Sequence, residues 1–290
     1  MPRTIDEGFR DFHSKLTPSS TETEAAKGHR ASIRARLDQE FGVRRFARIG
    51  SFGNGTSISG HSDVDYLVSL ANSSLTRDSD YSLKKVRDSL AGRFPNTGVR
   101  VNCPAVMIPF GSSKAETTEV VPGDYIEERR GHSVYDIPDC AGGWMRASPD
   151  SHNAYVSEQN DRLGGKVKPL IRFIKAWKYY REVPISSFYL ELRVARYAST
   201  ETVIVYDIDV KAVLCQLRDH QLADMQDPMG ISGYIKACKT SPLREEALSK
   251  LETAATRAEK ARAAAEKGQL SEAFDMWNLL YYYEFPGYYY

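Results

Sequence analysis

The sequence predicts an α+β protein: a mixed-sheet N-terminal lobe over residues 1–150 and a helical C-terminal lobe over residues 151–290, with the active site expected in the cleft between them. Three observations carry this reading. Up to Val121, short β-branched runs bounded by Gly, Pro and Ser alternate with amphipathic stretches. From His152 onward, apolar residues recur almost throughout at helical spacing. Between the two, residues 123–150 carry Gly142-Gly143 and Pro149 and read as irregular.

Taken in order, Ile5, Phe9 and Phe12 define a helix over residues 4–15, which Pro18-Ser19-Ser20-Thr21 breaks. Ser19 and Glu22 are spaced as a capping box. They open a long helix over residues 20–41, with Ala26, His29, Ile33, Leu37 and Phe41 on one stripe. Residues 43–49 form the first strand, which delivers a Gly50-Ser51 turn, and the second strand carries Asp63 and Asp65. A polar loop over 72–80 precedes a helix over 81–93 with Val86 and Leu90 inward. Three β-rich stretches follow, at 99–101, 105–110 and 116–121, and Pro122 is expected to end the sheet because it cannot donate to a central ladder. In the second half, residues 166–181 and 186–200 are the strongest helices, parted by Val183-Pro184. Residues 243–267 are rich in Ala, Glu, Lys and Arg, Gly268 caps them, and Ser271 starts the last helix.

Composition narrows the function. Hydrophobic content of 41% and charged content of 27% are those of an ordinary globular protein. A net charge of +1 means that any electropositive site is local, so no nucleic-acid activator is expected. No apolar run approaches the roughly 18 residues of a membrane span, and the acidic start MPRTIDEGFRDFHSKL has no apolar signal region. Cys103, Cys140, Cys215 and Cys238 form no Cys-x-x-Cys pattern and read as reduced, buried thiols of a cytoplasmic chain. The six histidines contain no metal-spaced pair, so no zinc is expected.

The stretch GSFGNGTSISGHSDVDYLV, residues 50–68, carries the chemistry. In an extended strand Asp63 and Asp65 leave the same face, and two facing carboxylates call for a divalent cation such as Mg²⁺. Gly50 allows close backbone approach, and Ser51 supplies an N–H and a hydroxyl suited to phosphate oxygens. Either feature alone is usually structural. Together, with eleven residues between Ser51 and Asp63, they are specific. The pattern resembles the nucleotidyltransferase superfamily of the DNA polymerase beta type. That resemblance implies a polymerase-beta-like lobe in which Gly50 and Ser51 hold a donor triphosphate. Asp63 and Asp65 would bind two Mg²⁺ ions, with Mn²⁺ able to substitute.

Two-metal phosphoryl transfer calls for a third carboxylate on a neighbouring strand. Glu119, in a β-branched run ending Val120-Val121-Pro122, is the candidate for metal binding and catalysis, and Glu116 is its rival on the opposite strand face. Related families carry Asp there, so Glu119 is one methylene longer.

Residues 166–181 hold Lys166, Lys168, Arg172, Lys175, Lys178 and Arg181 without an acid, and Lys168, Arg172 and Lys175 share one broad helical face. Such a face is usually just solvated; the functional reading is a phosphate clamp, with Lys168 and Lys175 as nucleotide-binding candidates. Ser186-Ser187 and Phe188 open the next helix. This helical pair resembles that of oligoadenylate synthetases and cyclic GMP-AMP synthase, and the chain is similar to the bacterial CD-NTases. By that resemblance Lys175 is the triphosphate lysine, Ser187 touches phosphate and Phe188 stacks on a base. The resemblance also implies the product, a cyclic purine dinucleotide second messenger of the cyclic GMP-AMP type, made from ATP and/or GTP with release of pyrophosphate. It places the enzyme in anti-phage defence, where a downstream effector receives the product. The alternatives are a linear oligonucleotide synthase and a toxin-type nucleotidyltransferase; a non-catalytic binding module is opposed by the intact acids. Asp207-Ile208-Asp209 lacks a preceding Gly-Ser and reads as a helix start or loop. The ending LLYYYEFPGYYY reads as a tail on the helical lobe, with a partner-binding tail as the alternative.

Overall fold

Strand and helix periodicities alternate in the first half of the chain and helices dominate the second, and the fold follows them. The structure is a computed structural model that describes residues 2–61, 63–111 and 116–289, the side chains at 20–28 and at Glu116 excepted. The first half runs α1 (Ile5–Leu16), α2 (Ser20–Phe41), β1 (Val43–Ile49), α3 (Gly50–Asn54), β2 (Val64–Leu70), α4 (Ser79–Arg93), β3 (Arg100–Asn102), β4 (Ala105–Phe110), β5 (Glu116–Arg129), β6 (His132–Pro138) and β7 (Trp144–Ala147). The second half runs α5 (Pro149–Arg162), α6 (Val167–Tyr180), α7 (Ser187–Ala198), α8 (Tyr206–Asp219), β8 (Met225–Gln226), β9 (Tyr234–Ile235), α9 (Ser241–Glu266) and α10 (Leu270–Leu280). The chain divides into two units. One is residues 18–154 with 229–232; the other is residues 1–17, 155–228 and 233–290.

In the first unit the strands form one mixed sheet in the order β1-β2-β5-β4-β3, with β6 on β5 and β7 on β6. β2 and β5 are parallel, and the remaining pairs of this sheet are antiparallel. Alternation along the strands decides which face carries chemistry. Val64, Tyr66 and Val68 of β2 and Val120 of β5 turn to one face and pack with Ile33, Leu37 and Phe41 of α2 and Leu83, Val86 and Leu90 of α4. Leu67 and Val121 turn to the other face, where they meet Ala105 and Tyr135 in a smaller cluster with Ile49 and Ile137. Asp65 and Glu119 are in phase with this second set, so they leave the sheet opposite the helical layer.

Three expectations are corrected here. Pro122 does not end the sheet. It lies between Val120, paired with β4, and Asp124, paired with β6, where neither antiparallel neighbour needs its N–H. Residues 123–150 are accordingly not irregular but continue as the rest of β5, then β6 and β7. Nor are all four cysteines reduced: Cys103 and Cys140 form a disulfide with Cα atoms 5.7 Å apart. Their separation of 37 residues leaves no local pattern to read. The loop after β6 that carries Cys140 is held near the start of α4, where the Ser79 N–H donates to Gly142 O (3.1 Å) and the Trp144 indole N–H to Thr76 O (3.1 Å). Cys215 and Cys238 are free, and burial pushes both thiols up, Cys215 to about 11.

In the second unit the apolar stripe of α1 finds its partners among the helices, so residues 1–17 belong there and not with the sheet lobe to which the sequence reading assigned them. Thr4 and Glu7 cap α1 reciprocally: Thr4 Oγ1 accepts from the Glu7 N–H (3.2 Å), and Glu7 Oε2 accepts from the Thr4 N–H (3.2 Å). Phe9 is wholly buried, with ring centroids 5.0 Å from Phe173, 5.1 Å from Trp277 and 5.1 Å from Phe285. The Tyr-rich tail is ordered on the same core. Tyr281 and Phe285 are buried, and the Tyr289 N–H donates to Pro2 O at 3.0 Å. Among the described residues no helix is long and apolar enough to cross a membrane.

Candidate active site

The acids are brought together by strand register. Asp65 of β2 lies opposite Glu119 of the parallel strand β5, and directly partnered residues of adjacent strands present side chains to the same face. Ile49 flanks Asp65 from β1, and Met107 flanks Glu119 from β4. Asp63 stands one residue ahead of β2 and is exposed, so it precedes the strand rather than lying within it. The rival Glu116 begins β5, and its side chain lies outside the described residues.

Gly50 opens the short helix α3 and is not the plain turn anticipated. Its φ is +59°, a left-handed conformation that favours glycine, and an added Cβ would lie 2.8 Å from the Asp65 carboxylate carbon and closer still to Oδ2. The close approach read from the sequence is therefore made by this chain's own carboxylate. Ser51, half-buried, follows in the same helix. Glu119 has a partner that sequence reasoning missed: the Asn102 Nδ2–H donates to Glu119 Oε1 at 2.7 Å. That contact spans β3, β4 and β5, and no local pattern announces it.

Among the described residues no three His, Cys, Asp or Glu side chains are gathered closely enough to hold a metal ion. The residues present nevertheless fit a hard divalent cation. The donors are carboxylate oxygens, the chemistry of Mg²⁺ and Mn²⁺ rather than of a thiolate or imidazole metal, and the missing Gly50 Cβ leaves the space in which Asp65 is seated.

In the other unit, α6 is apolar around most of its circumference, which decides where its cations go. Lys175 has no exposed side-chain surface, and its Nζ lies 2.8 Å from Glu191 Oε1 of α7. Arg172 donates from NH1 to His13 Nε2 of α1 at 2.8 Å. Lys168 is half-buried, and its backbone N–H donates to Asn160 Oδ1 at 3.0 Å. Of the three cations sharing that face, Lys175 is internal to the helical unit, while Arg172 and Lys168 are half-buried. Ser186 is the N-cap of α7, its Oγ accepting from the Tyr189 N–H at 3.3 Å. At Ser187 the structure adds a second residue that the sequence reading passed over: Lys178 Nζ donates to Ser187 Oγ at 2.7 Å. Lys178 also lies 4.5 Å from the Tyr179 ring centroid. Phe188, the next residue after Ser187, is 41% exposed.

The sequence profile of the Second Messenger Oligonucleotide or Dinucleotide Synthetase domain matches residues 3–160, more than half of the chain. A probable cyclic nucleotide synthase of Bacillus cereus (strain VD146) is 30% identical over 132 residues, 44% of this chain and 40% of that protein. A cyclic AMP-AMP-AMP synthase of Acinetobacter sp. (strain ATCC 27244 / 9458) is 26% identical over 189 residues, 60% of this chain and 52% of that protein. The chain thus spans about half, or less, of the curated relatives it matches. In fold it is similar to CdnC of E. coli MS115-1, solved with ATP, at a TM-score of 0.76 and 18% identity, covering 98% of this chain and 99% of that one.

Proposed function

The chain belongs to the Second Messenger Oligonucleotide or Dinucleotide Synthetase family, and from that premise we propose that it joins ATP and/or GTP into a cyclic purine dinucleotide of the cyclic GMP-AMP type, releasing pyrophosphate. The observation that carries the reading is the register pairing of Asp65 with Glu119 on one face of the sheet, with Asp65 seated over Gly50. A bound divalent metal would lower the pKa of the attacking ribose hydroxyl and offset charge on the leaving pyrophosphate. Asp63, Asp65 and Glu119 would hold that metal, and Glu119, if freed of its ligand role, has the chemistry to accept the hydroxyl proton. Gly50 and Ser51 would take donor phosphate oxygens.

For the helical unit we assign the donor phosphates to Lys178 with Ser187, and base stacking to Phe188. Lys175 then has a positioning role through Glu191, and Lys168 is a peripheral nucleotide contact. This assignment departs from the family expectation at Lys175 because that side chain is fully buried in an ion pair. The cytoplasm, anti-phage defence and a downstream effector complete the proposal, with support from the kinship alone. A cyclic trinucleotide is the second reading, favoured by the relative named cyclic AMP-AMP-AMP synthase.

The test is pyrophosphate release from ATP with GTP. Glu119→Gln is expected to lose at least about a hundredfold in turnover, with Glu116→Gln mild. The reverse ranking would move the third carboxylate to Glu116.

A further inference from the structure

We infer that Asn102 is a positioning residue for Glu119 and that the Cys103–Cys140 disulfide holds it in place, which makes metal binding at the acid row sensitive to thiol reductants. The inference rests on the reading of Glu119 as a metal ligand. Asn102 donates to Glu119 Oε1 at 2.7 Å, a charge-assisted bond that orients one carboxylate oxygen. Little else secures Asn102. It is exposed, and it ends β3, an edge strand of three exposed residues held to β4 through Arg100–Met107, Val101–Val106 and Asn102–Ala105. The next residue, Cys103, is bonded to Cys140. The loop around Cys140 is itself fixed: Asp139 Oδ1 accepts from the Ala141 N–H (2.7 Å) and the Gly143 N–H (2.9 Å), and Gly142 O accepts from the Ser79 N–H (3.1 Å). The bridge therefore ties the end of a short, exposed edge strand to a hydrogen-bonded loop. Partners of this kind, which orient a ligand without touching the metal, typically change metal affinity by about 10–100-fold when removed.

Cys140 is exposed, so a thiolate can reach its sulfur. A dithiol reductant attacks Cys140 Sγ, the S–S bond breaks, and Cys103 leaves as a thiolate. The second thiol of the reductant then resolves the mixed disulfide and releases Cys140. The protein disulfide gains two electrons and two protons, and the dithiol is oxidised to its own disulfide.

The test is Mn²⁺ affinity, read by electron paramagnetic resonance of free Mn²⁺, for oxidised protein and for protein reduced with dithiothreitol and desalted without air. Mass after alkylation reports the thiols. Reduction is expected to weaken Mn²⁺ binding at least about tenfold. Oxidised Asn102→Leu, similar in shape but without the donor, should lose as much, and reducing that variant should cost nothing further. Unchanged affinity in reduced wild type, or in oxidised Asn102→Leu, overturns the inference. If reduction unfolds the sheet unit, as circular dichroism would report, oxidised Asn102→Leu still decides. Glu119→Gln separates the two levels. If it leaves Mn²⁺ affinity intact, the reading of Glu119 as a ligand fails and this inference with it. If it weakens binding while Asn102→Leu and reduction do not, only this inference fails.

Discussion

Gly50 and Lys175 are the residues at which the physics is most exposed. An alanine at Gly50 would be held at φ +59°, a left-handed backbone costing about 1–2 kcal/mol, and its Cβ would fall against the Asp65 carboxylate. Gly50→Ala is therefore expected to lower turnover at least about a hundredfold, the scale for displacing a catalytic group, with only a modest fall in melting temperature. Unchanged turnover would mean that the seat of Asp65 does not matter. Lys175→Ala leaves Glu191 buried without its cation, a loss of about 3–5 kcal/mol. Lys178→Ala removes a half-buried cation beside Ser187 and should instead raise the apparent KM for donor triphosphate at little cost in stability. Thermal melts beside donor-titration kinetics distinguish them. If Lys175→Ala raised the donor KM with its melting temperature intact, the phosphate role would return to Lys175. The sequence could mark both as cations on one helix, but which of them is buried depends on α1, α7 and α8, the helices packed on α6, and that information lies elsewhere in the chain.

At the scale of elements, α1 on α6 carries a pH dependence. Arg172 has only N–H donors, so His13 Nε2 must accept from it and the ring is neutral with its proton on Nδ1. Burial first, and the Arg172 charge second, lower the His13 pKa. The folded chain then binds fewer protons at His13 than the unfolded chain. The resulting stability is complete above the unfolded value of about 6.5 and is lost as pH falls from there through the lowered folded pKa. His13→Gln keeps an acceptor for Arg172 and should flatten the dependence of melting temperature on pH below about 6.5. An unaltered profile would contradict this. The second Asp-x-Asp is likewise an element matter. Asp209 accepts from the Tyr197 hydroxyl and the Val205 N–H, both at 2.5 Å, and Asp207 pairs with Arg262, so the pair anchors the start of α8. Asp207→Asn with Asp209→Asn should synthesise product at near wild-type rate at 25 °C yet lose about 1–3 kcal/mol of stability; lost synthesis with an unchanged melt would contradict it. Most of these elements were legible: α2, β1, α4, β4, α6 and α7 have periodicity or caps of their own. β6 and β7 were not, because Pro122 reads as a stop until its position between β4 and β6 pairing is known. The disulfide and the Asn102–Glu119 bond are products of topology and leave no local trace.

For the whole molecule the central claim is that one set of acids, Asp63, Asp65 and Glu119, serves both bond-forming steps of a cyclisation. In the sequence the Gly-Ser and Asp-x-Asp spacing points to the first two and the β-branched run before Pro122 to the third, and register pairs Asp65 with Glu119. How many nucleotides enter the ring is not written in those residues, since it depends on how the product turns over between steps. The most direct measurement is mass spectrometry of the products from ATP with GTP after phosphatase treatment, with wild type beside Asp63→Asn/Asp65→Asn. A cyclic product has no terminal phosphate and survives the phosphatase. The account predicts a resistant species with the mass of a cyclic purine dinucleotide from wild type and none from the double variant. A resistant cyclic trinucleotide would keep the acids and change the ring. Products that are all degraded to nucleosides and shortened linear chains, or a double variant that still makes the resistant species, would contradict it.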